Sequence, residues 1–347
     1  MKKEKENILI EVNGLKKYFP IKKGIFQQTV GQIKAVDNIN FKIKFGETLG
    51  LVGESGCGKS TAGKSILRLI EPTEGNIKYN INKSLQLDQK FSKIDITKLT
   101  SKDLRKLRQE IQYIFQDPYS SFNPRKNVES ILSEPFIIHG FIHNNDLKTK
   151  IHNLLSDVGL KPDHLKRFPH EFSGGQRQRI GIARAIALKP SFIVADEPVS
   201  SLDVSIQSQI INLFKTIQDK YQLTYLFISH DLSVIKYISD TVAVMYLGKI
   251  VEMANNENLF SNPRHPYTES LMSAIPVPNP KHNDDQILLK GDVPSPSNPP
   301  RGCYFHPRCK YAKEICKNEY PPLQIYDNNH HVFCHFSSSL QLRPMHV

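Results

Sequence analysis

The chain has 347 residues, 39% of them hydrophobic and 23% charged, with a formal net charge of +12. That balance excludes a disordered or fibrous chain, and the length suits one large domain with an appendage, because single cores stop growing near about 250–300 residues. No run reaches the roughly 18 apolar residues that span a bilayer; Ile131–Ile142 is interrupted by Glu134, Pro135 and His139.

Met1–Asn7 mixes Lys and Glu ahead of the apolar stretch Ile8–Val12, which is too short for the core of a secretory signal. The chain therefore reads as cytoplasmic, with any membrane role peripheral. Its lysines are dispersed, with no basic block and no nucleic-acid module, so nucleic acid is not expected as a partner. Anionic lipid fits the charge better. Along the chain, Ile8–Val12, the alternating Ala35–Ile43 and the continuously apolar Thr48–Val52 predict strands. Thr100–Leu188 is mostly helical in pattern: Thr100 and Asp103 are spaced as a capping box, and Leu104, Leu107 and Ile111 share a face. This predicts a helical subdomain inserted between strands. Ser191–Ala195 and Thr224–Ser229 are short apolar runs, each after a helical segment, as in parallel βα units. Pro276–Pro300 reads as an extended linker ahead of a cysteine-bearing tail. There is no internal repeat.

Gly53-Glu54-Ser55-Gly56-Cys57-Gly58-Lys59-Ser60 fits G-x-x-x-x-G-K-S between an apolar strand and a helical segment. Glycines let successive N–H groups converge on phosphate oxygens, and the new helix adds the positive end of its dipole. Lys59 is expected to bridge the β- and γ-phosphates of a nucleotide and the Ser60 hydroxyl to ligate Mg2+. Phe192–Ala195 delivers Asp196 and Glu197 to the carboxyl edge of a parallel sheet, where ligands bind. Asp196 is expected in the Mg2+ shell and Glu197 at the attacking water. Ser173-Gly174-Gly175-Gln176 makes a second anion-ready helix start, hard to explain with one nucleotide and one monomer.

On those residues the sequence resembles the ABC ATPase family, whose diagnostic S-G-G-Q stands at Ser173–Gln176. The resemblance implies an α/β fold: a P-loop NTPase (RecA-like) core with an antiparallel β subdomain and an inserted helical subdomain, plus a small cysteine-containing C-terminal extension. It implies a head-to-tail dimer in which Ser173–Gln176 closes over the partner's nucleotide. Gln116 resembles the glutamine that senses Mg2+ and water and contacts the membrane subunit. Ser201-Leu202-Asp203 resembles the D-loop, so Asp203 joins the ATP-binding set, and His230 resembles the switch histidine at the γ-phosphate. Tyr18 matches the aromatic position that stacks on adenine, with Phe19 its neighbour.

Longer stretches, Gly46–Thr61, Phe115–Arg125 and Gly302–Cys309, look like the oligopeptide/dipeptide (and nickel) importer branch. That kinship implies ATP hydrolysis, with ATP and Mg2+ as cofactors, driving peptide import at the cytoplasmic face of the membrane. The expected partners are a sister ATPase, two permease subunits and an extracytoplasmic peptide-binding protein. Import of nickel or another small solute is the alternative, and a non-transport ABC ATPase or a purely regulatory ATP switch are the rivals. The expected domains are residues 8–260 for the ATPase, with its helical part near 117–188, then 261–300 for a Pro-rich linker and 301–340 for the extension. Cys303, Cys309, Cys316 and Cys334 sit in that tail with four nearby histidines, His306, His330, His331 and His335. A cytoplasmic location disfavours disulfides, leaving zinc, an iron–sulfur cluster or reduced thiols; the resemblance favours [4Fe–4S]. Cys57 contributes only backbone to its loop.

Overall fold

The computed structural model describes residues 7–81, 93–141, 144–275 and 287–345. They form two compact units. The described residues of Met1–Ile10, Lys42–Thr48 and Lys78–Ile228 make the first, and those of Glu11–Phe41, Leu49–Ile77 and Ser229–Val347 the second.

The chain opens with β1 (Ile8–Lys23) and β2 (Gln28–Lys44). The strands are far longer than the apolar segments in the sequence, because a hairpin turn at Gly24–Gln27, closed by a 3.1 Å bond from Gln27 N–H to Gly24 C=O, lets the ladder continue through exposed residues. Next come β3 (Thr48–Val52), buried at every position, and α1 (Lys59–Ile66). β4 (Glu74–Asn80) pairs antiparallel with β5 (Lys93–Asp95).

α2 (Ser101–Leu107) starts at Thr100, whose hydroxyl accepts from Asp103 N–H as the sequence predicts. It ends sooner than the heptad-like spacing suggests. Ile111 belongs instead to β6 (Ile111–Ile114), because the β-branched and aromatic residues there are buried in a parallel ladder with β7 (Phe192–Asp196), Tyr113 facing Val194. Between these strands lie α3 (Val128–Ile138), α4 (Asn144–Asp157) and α5 (Gly174–Ile186). α6 (Val204–Tyr221) leads into β8 (Thr224–Ser229), parallel to β7. β7 and β8 are buried at every position, the signature of parallel strands covered on both faces.

In the second unit, α7 (Leu232–Ile238) precedes β9 (Thr241–Tyr246), which runs parallel to β3. β10 (Lys249–Asn255) turns back antiparallel on β9. Within the segment expected to be linker lies a helix, α9 (Pro266–Ser273), after α8 (Asn256–Ser261). The cysteine tail adds α10 (Glu314–Asn318), β11 (Gln324–Tyr326) and β12 (His330–Val332). β12 pairs antiparallel with β10, so the tail extends a sheet of the second unit instead of building a core of its own. Among the described residues, no helix is long and apolar enough to cross a membrane.

Candidate functional site

In the second unit the chain leaves β3 at Gly53 and enters α1 at Lys59. Two glycines on this loop are dictated by backbone. A Cβ on Gly53 would lie 2.1 Å from the Met245 carbonyl oxygen, and one on Gly58 would lie 1.9 Å from that of Ala35, at φ 105°. Gly58 is the N-cap of α1 and, having no side chain, contributes no capping bond. The start of α1, with no side-chain cap, suits an anion. Lys59 is 4% exposed and its ammonium donates to the carbonyls of Gly53 (2.7 Å) and Glu54 (3.1 Å), folding the side chain over the loop. Ser55 and Gly56 are exposed at its tip. Cys57 is buried, with its thiol pushed up by that burial, and its carbonyl accepts from Gly248 N–H. Tyr18 donates its hydroxyl to Asp37 at 2.5 Å.

In the first unit the two carboxylates that end β7 part company. Asp196 is 3% exposed and accepts the Tyr113 hydroxyl at 2.6 Å. Burial first, and then the Asp196 charge, keep the Tyr113 phenol protonated. Glu197 adopts φ 45°, a left-handed conformation unusual for a glutamate. Its N–H donates to Ile228 C=O, and its carboxylate accepts from the Gln116 amide at 3.1 Å. The structure thus brings Gln116 and Glu197 together. Strain in a residue pinned from both sides is a mark of functional positions.

Ser173 caps α5, accepting Gln176 N–H at 3.3 Å while Gln176 Oε1 accepts Ser173 N–H at 3.1 Å. Gly174 and Gly175 are packed under the start of α6: a Cβ would meet Leu202 Cδ2 at 3.2 Å and Ile206 Cγ2 at 2.5 Å, respectively. Asp203 caps α6 through Ile206 N–H at 3.0 Å. His230 follows β8 and is exposed.

The four tail cysteines converge. Cys303, Cys309, Cys316 and Cys334 line one cavity of about 20 Å3 with Phe305 and Phe336. Burial first, and then mutual repulsion of the thiolates, raise Cys303 to about 12 and Cys334 to about 11. All are free thiols. Among the described residues no three His, Cys, Asp or Glu side chains are arranged to hold one metal ion.

Residues 36–200 match the ABC transporter family, and residues 251–316 match the oligopeptide/dipeptide transporter C-terminal region. The oligopeptide transport ATP-binding protein AppF of Bacillus subtilis is 52% identical over 96% of this chain and 98% of its own length. The chain belongs to this family of ABC transporter ATP-binding proteins. The dipeptide transport ATP-binding protein DppF of Haemophilus influenzae is 46% identical over 95% of this chain and 97% of its own. The dimeric ATP-binding cassette MJ0796, solved in a post-hydrolysis state with ADP and Pi, superposes with TM-score 0.60 at 26% identity, covering 72% of this chain and 99% of that one. The chain is accordingly an ABC ATPase, with a P-loop cassette fold and ATP and Mg2+ as the family's cofactors.

Tyr113 escaped the sequence reading. An aromatic in a buried strand signals core, and only the 83-residue separation closed by the sheet makes it a partner of Asp196.

Proposed function

We propose that the chain is the ATP-hydrolysing subunit of an importer for oligopeptides or dipeptides, acting at the cytoplasmic face of the membrane. The observation that carries this reading is the near-full-length identity to oligopeptide and dipeptide transport ATP-binding proteins, cysteine tail included. Its partners are a sister ATPase, two permease subunits and an extracytoplasmic binding protein that selects the peptide. Residues 8–260 are the ATPase proper, 261–300 the connection and 301–340 the extension.

Each residue then has a task. Tyr18 stacks on adenine, and the amides of Gly53–Thr61 wrap the phosphates. Lys59, now folded onto loop carbonyls, turns to the β- and γ-phosphates. Ser60, Gln116 and Asp196 would hold Mg2+, which when bound would neutralise developing phosphate charge. Glu197 takes a proton from the attacking water, with Gln116 orienting its carboxylate, and His230 contacts the γ-phosphate. Ser173–Gln176 and Asp203 close over the nucleotide of the sister subunit. The strained, amide-held Glu197 supports the role of base, since a general base must be fixed within hydrogen-bond reach of its proton. In the assembled transporter, Glu197→Gln is expected to cut ATP turnover by about 10²–10⁴-fold while MgATP still binds. Wild-type turnover in that variant would refute the assignment, and ATPase activity without stimulation by peptide-loaded binding protein would refute the import reading.

For the tail, the family kinship favours a [4Fe–4S] cluster, with zinc or reduced thiols as the alternatives. Two buried thiols, Cys316 and Cys334, and two half-buried ones, Cys303 and Cys309, line one cavity. Cys303, Cys309, Cys316 and Cys334 would hold the cluster, which when bound supplies a covalent staple for a short segment. Anaerobically purified protein should contain iron and acid-labile sulfide in cluster proportion; colourless, iron-free protein would remove this part of the reading.

A further inference from the structure

The segment between Cys303 and Cys309 reaches back to the nucleotide side of the second unit at two points. At one, the Arg308 guanidinium grips Glu54 with both prongs of its fork, Nη1 to Oε2 at 2.6 Å and Nη2 to Oε1 at 2.9 Å. The arginine side chain is only 7% exposed, so the pair is poorly screened by solvent. The Glu54 main chain is held as well, its N–H donating to the Tyr267 hydroxyl at 2.8 Å. At the other point, the Tyr304 hydroxyl donates to Asp37 Oδ2 at 2.9 Å, and Lys249 pairs with the same oxygen at 3.0 Å. Oδ1 of that carboxylate is the acceptor for Tyr18. Burial would raise the Asp37 carboxyl, but the bonds from Tyr18, Lys249 and Tyr304 together hold it below its usual range and ionised. Between the two contacts, Phe305 is 2% exposed and packs edge-on against Tyr246, with ring centroids 5.2 Å apart. The segment is thus anchored at its middle and tied at both ends.

We propose that Tyr304 and Arg308 are positioning residues for nucleotide binding. Arg308 sets the phosphate loop through Glu54, and Tyr304 sets the base-stacking Tyr18 through Asp37. The inference rests on the ATPase reading above, and adds that a segment far down the chain tunes affinity at both ends of the nucleotide. Removing a positioning contact costs binding without touching the ligand.

Titration calorimetry on the full chain, with MgATP and with inorganic tripolyphosphate, separates the two contacts. Arg308→Lys keeps the charge but loses the fork, and is expected to weaken both ligands by about five-fold. Tyr304→Phe removes one hydroxyl; it should weaken MgATP by about three-fold and leave tripolyphosphate unchanged. Arg308→Lys on a Glu54→Gln background should add no further loss, because one contact cannot be broken twice. Wild-type affinities in both single variants would overturn the proposal, as would equal weakening of both ligands by Tyr304→Phe. If the wild-type chain itself bound no MgATP, the ATPase reading would fail first and this one with it.

Discussion

Two glycine-bearing helix starts, Gly53–Lys59 before α1 and Ser173–Gln176 at α5, look alike in sequence and differ in what enforces them. At α1 the neighbours of Gly53 and Gly58 are carbonyl oxygens of Met245 and Ala35, and Gly58 is held at φ 105°. At α5 both glycines lie in the helix, and what crowds Gly174 and Gly175 is the side chains of Leu202 and Ile206. Backbone cannot be trimmed, whereas a side chain can. The capping differs in the same sense: α1 has no side-chain cap, while Ser173 and Gln176 cap α5 reciprocally. The first start is therefore fixed by main-chain neighbours, and the second by side chains that pack against it and cap it.

The contrast breaks most readily at Gly58. Gly58→Ala is expected to cost about 4 kcal/mol, strain at positive φ adding to a clash with main chain, and to abolish MgATP binding. Urea unfolding and calorimetry check this, and no side-chain substitution should rescue it. Gly175→Ala should cost about 2 kcal/mol from overpacking, and Ile206→Ala in the same chain should restore most of it. Failure of that rescue would show that α5 is enforced by backbone after all.

A third helix start sharpens the comparison. α9 is capped by His265, 1% exposed, whose Nδ1 accepts from Tyr267 N–H at 3.1 Å. Burial lowers its pKa to about 3. Below about 6.5 the unfolded chain takes up a proton that the folded chain refuses, so this contribution is complete above that pH and is lost as pH falls towards 3. By pH 5 the loss should reach about 2 kcal/mol, at 1.36 kcal/mol per unit. Stability measured against pH should show this slope in the wild type and lose it in His265→Asn, where an amide oxygen replaces the ring as cap. The smallest effect belongs to Ser173→Ala, expected to cost about 1 kcal/mol as an exposed cap; a much larger stability loss would mean that α5 depends on Ser173 for more than its cap.

The sequence by itself determined the continuous apolar strands β3, β7 and β8, the caps at Thr100 and Ser173, and the phosphate loop. Each is written in residues no more than a few positions apart, which is the range over which periodicity and capping bonds act. Only the tertiary structure decided that Gln116 meets Glu197 across 81 residues, Arg308 meets Glu54 across 254, and Tyr304 meets Asp37 across 267. It also decided the left-handed turn at Glu197 and the gathering of the four thiols on one cavity. Such pairings depend on which strands become neighbours and in what register, and a local pattern contains no record of the distant segment that will complete it.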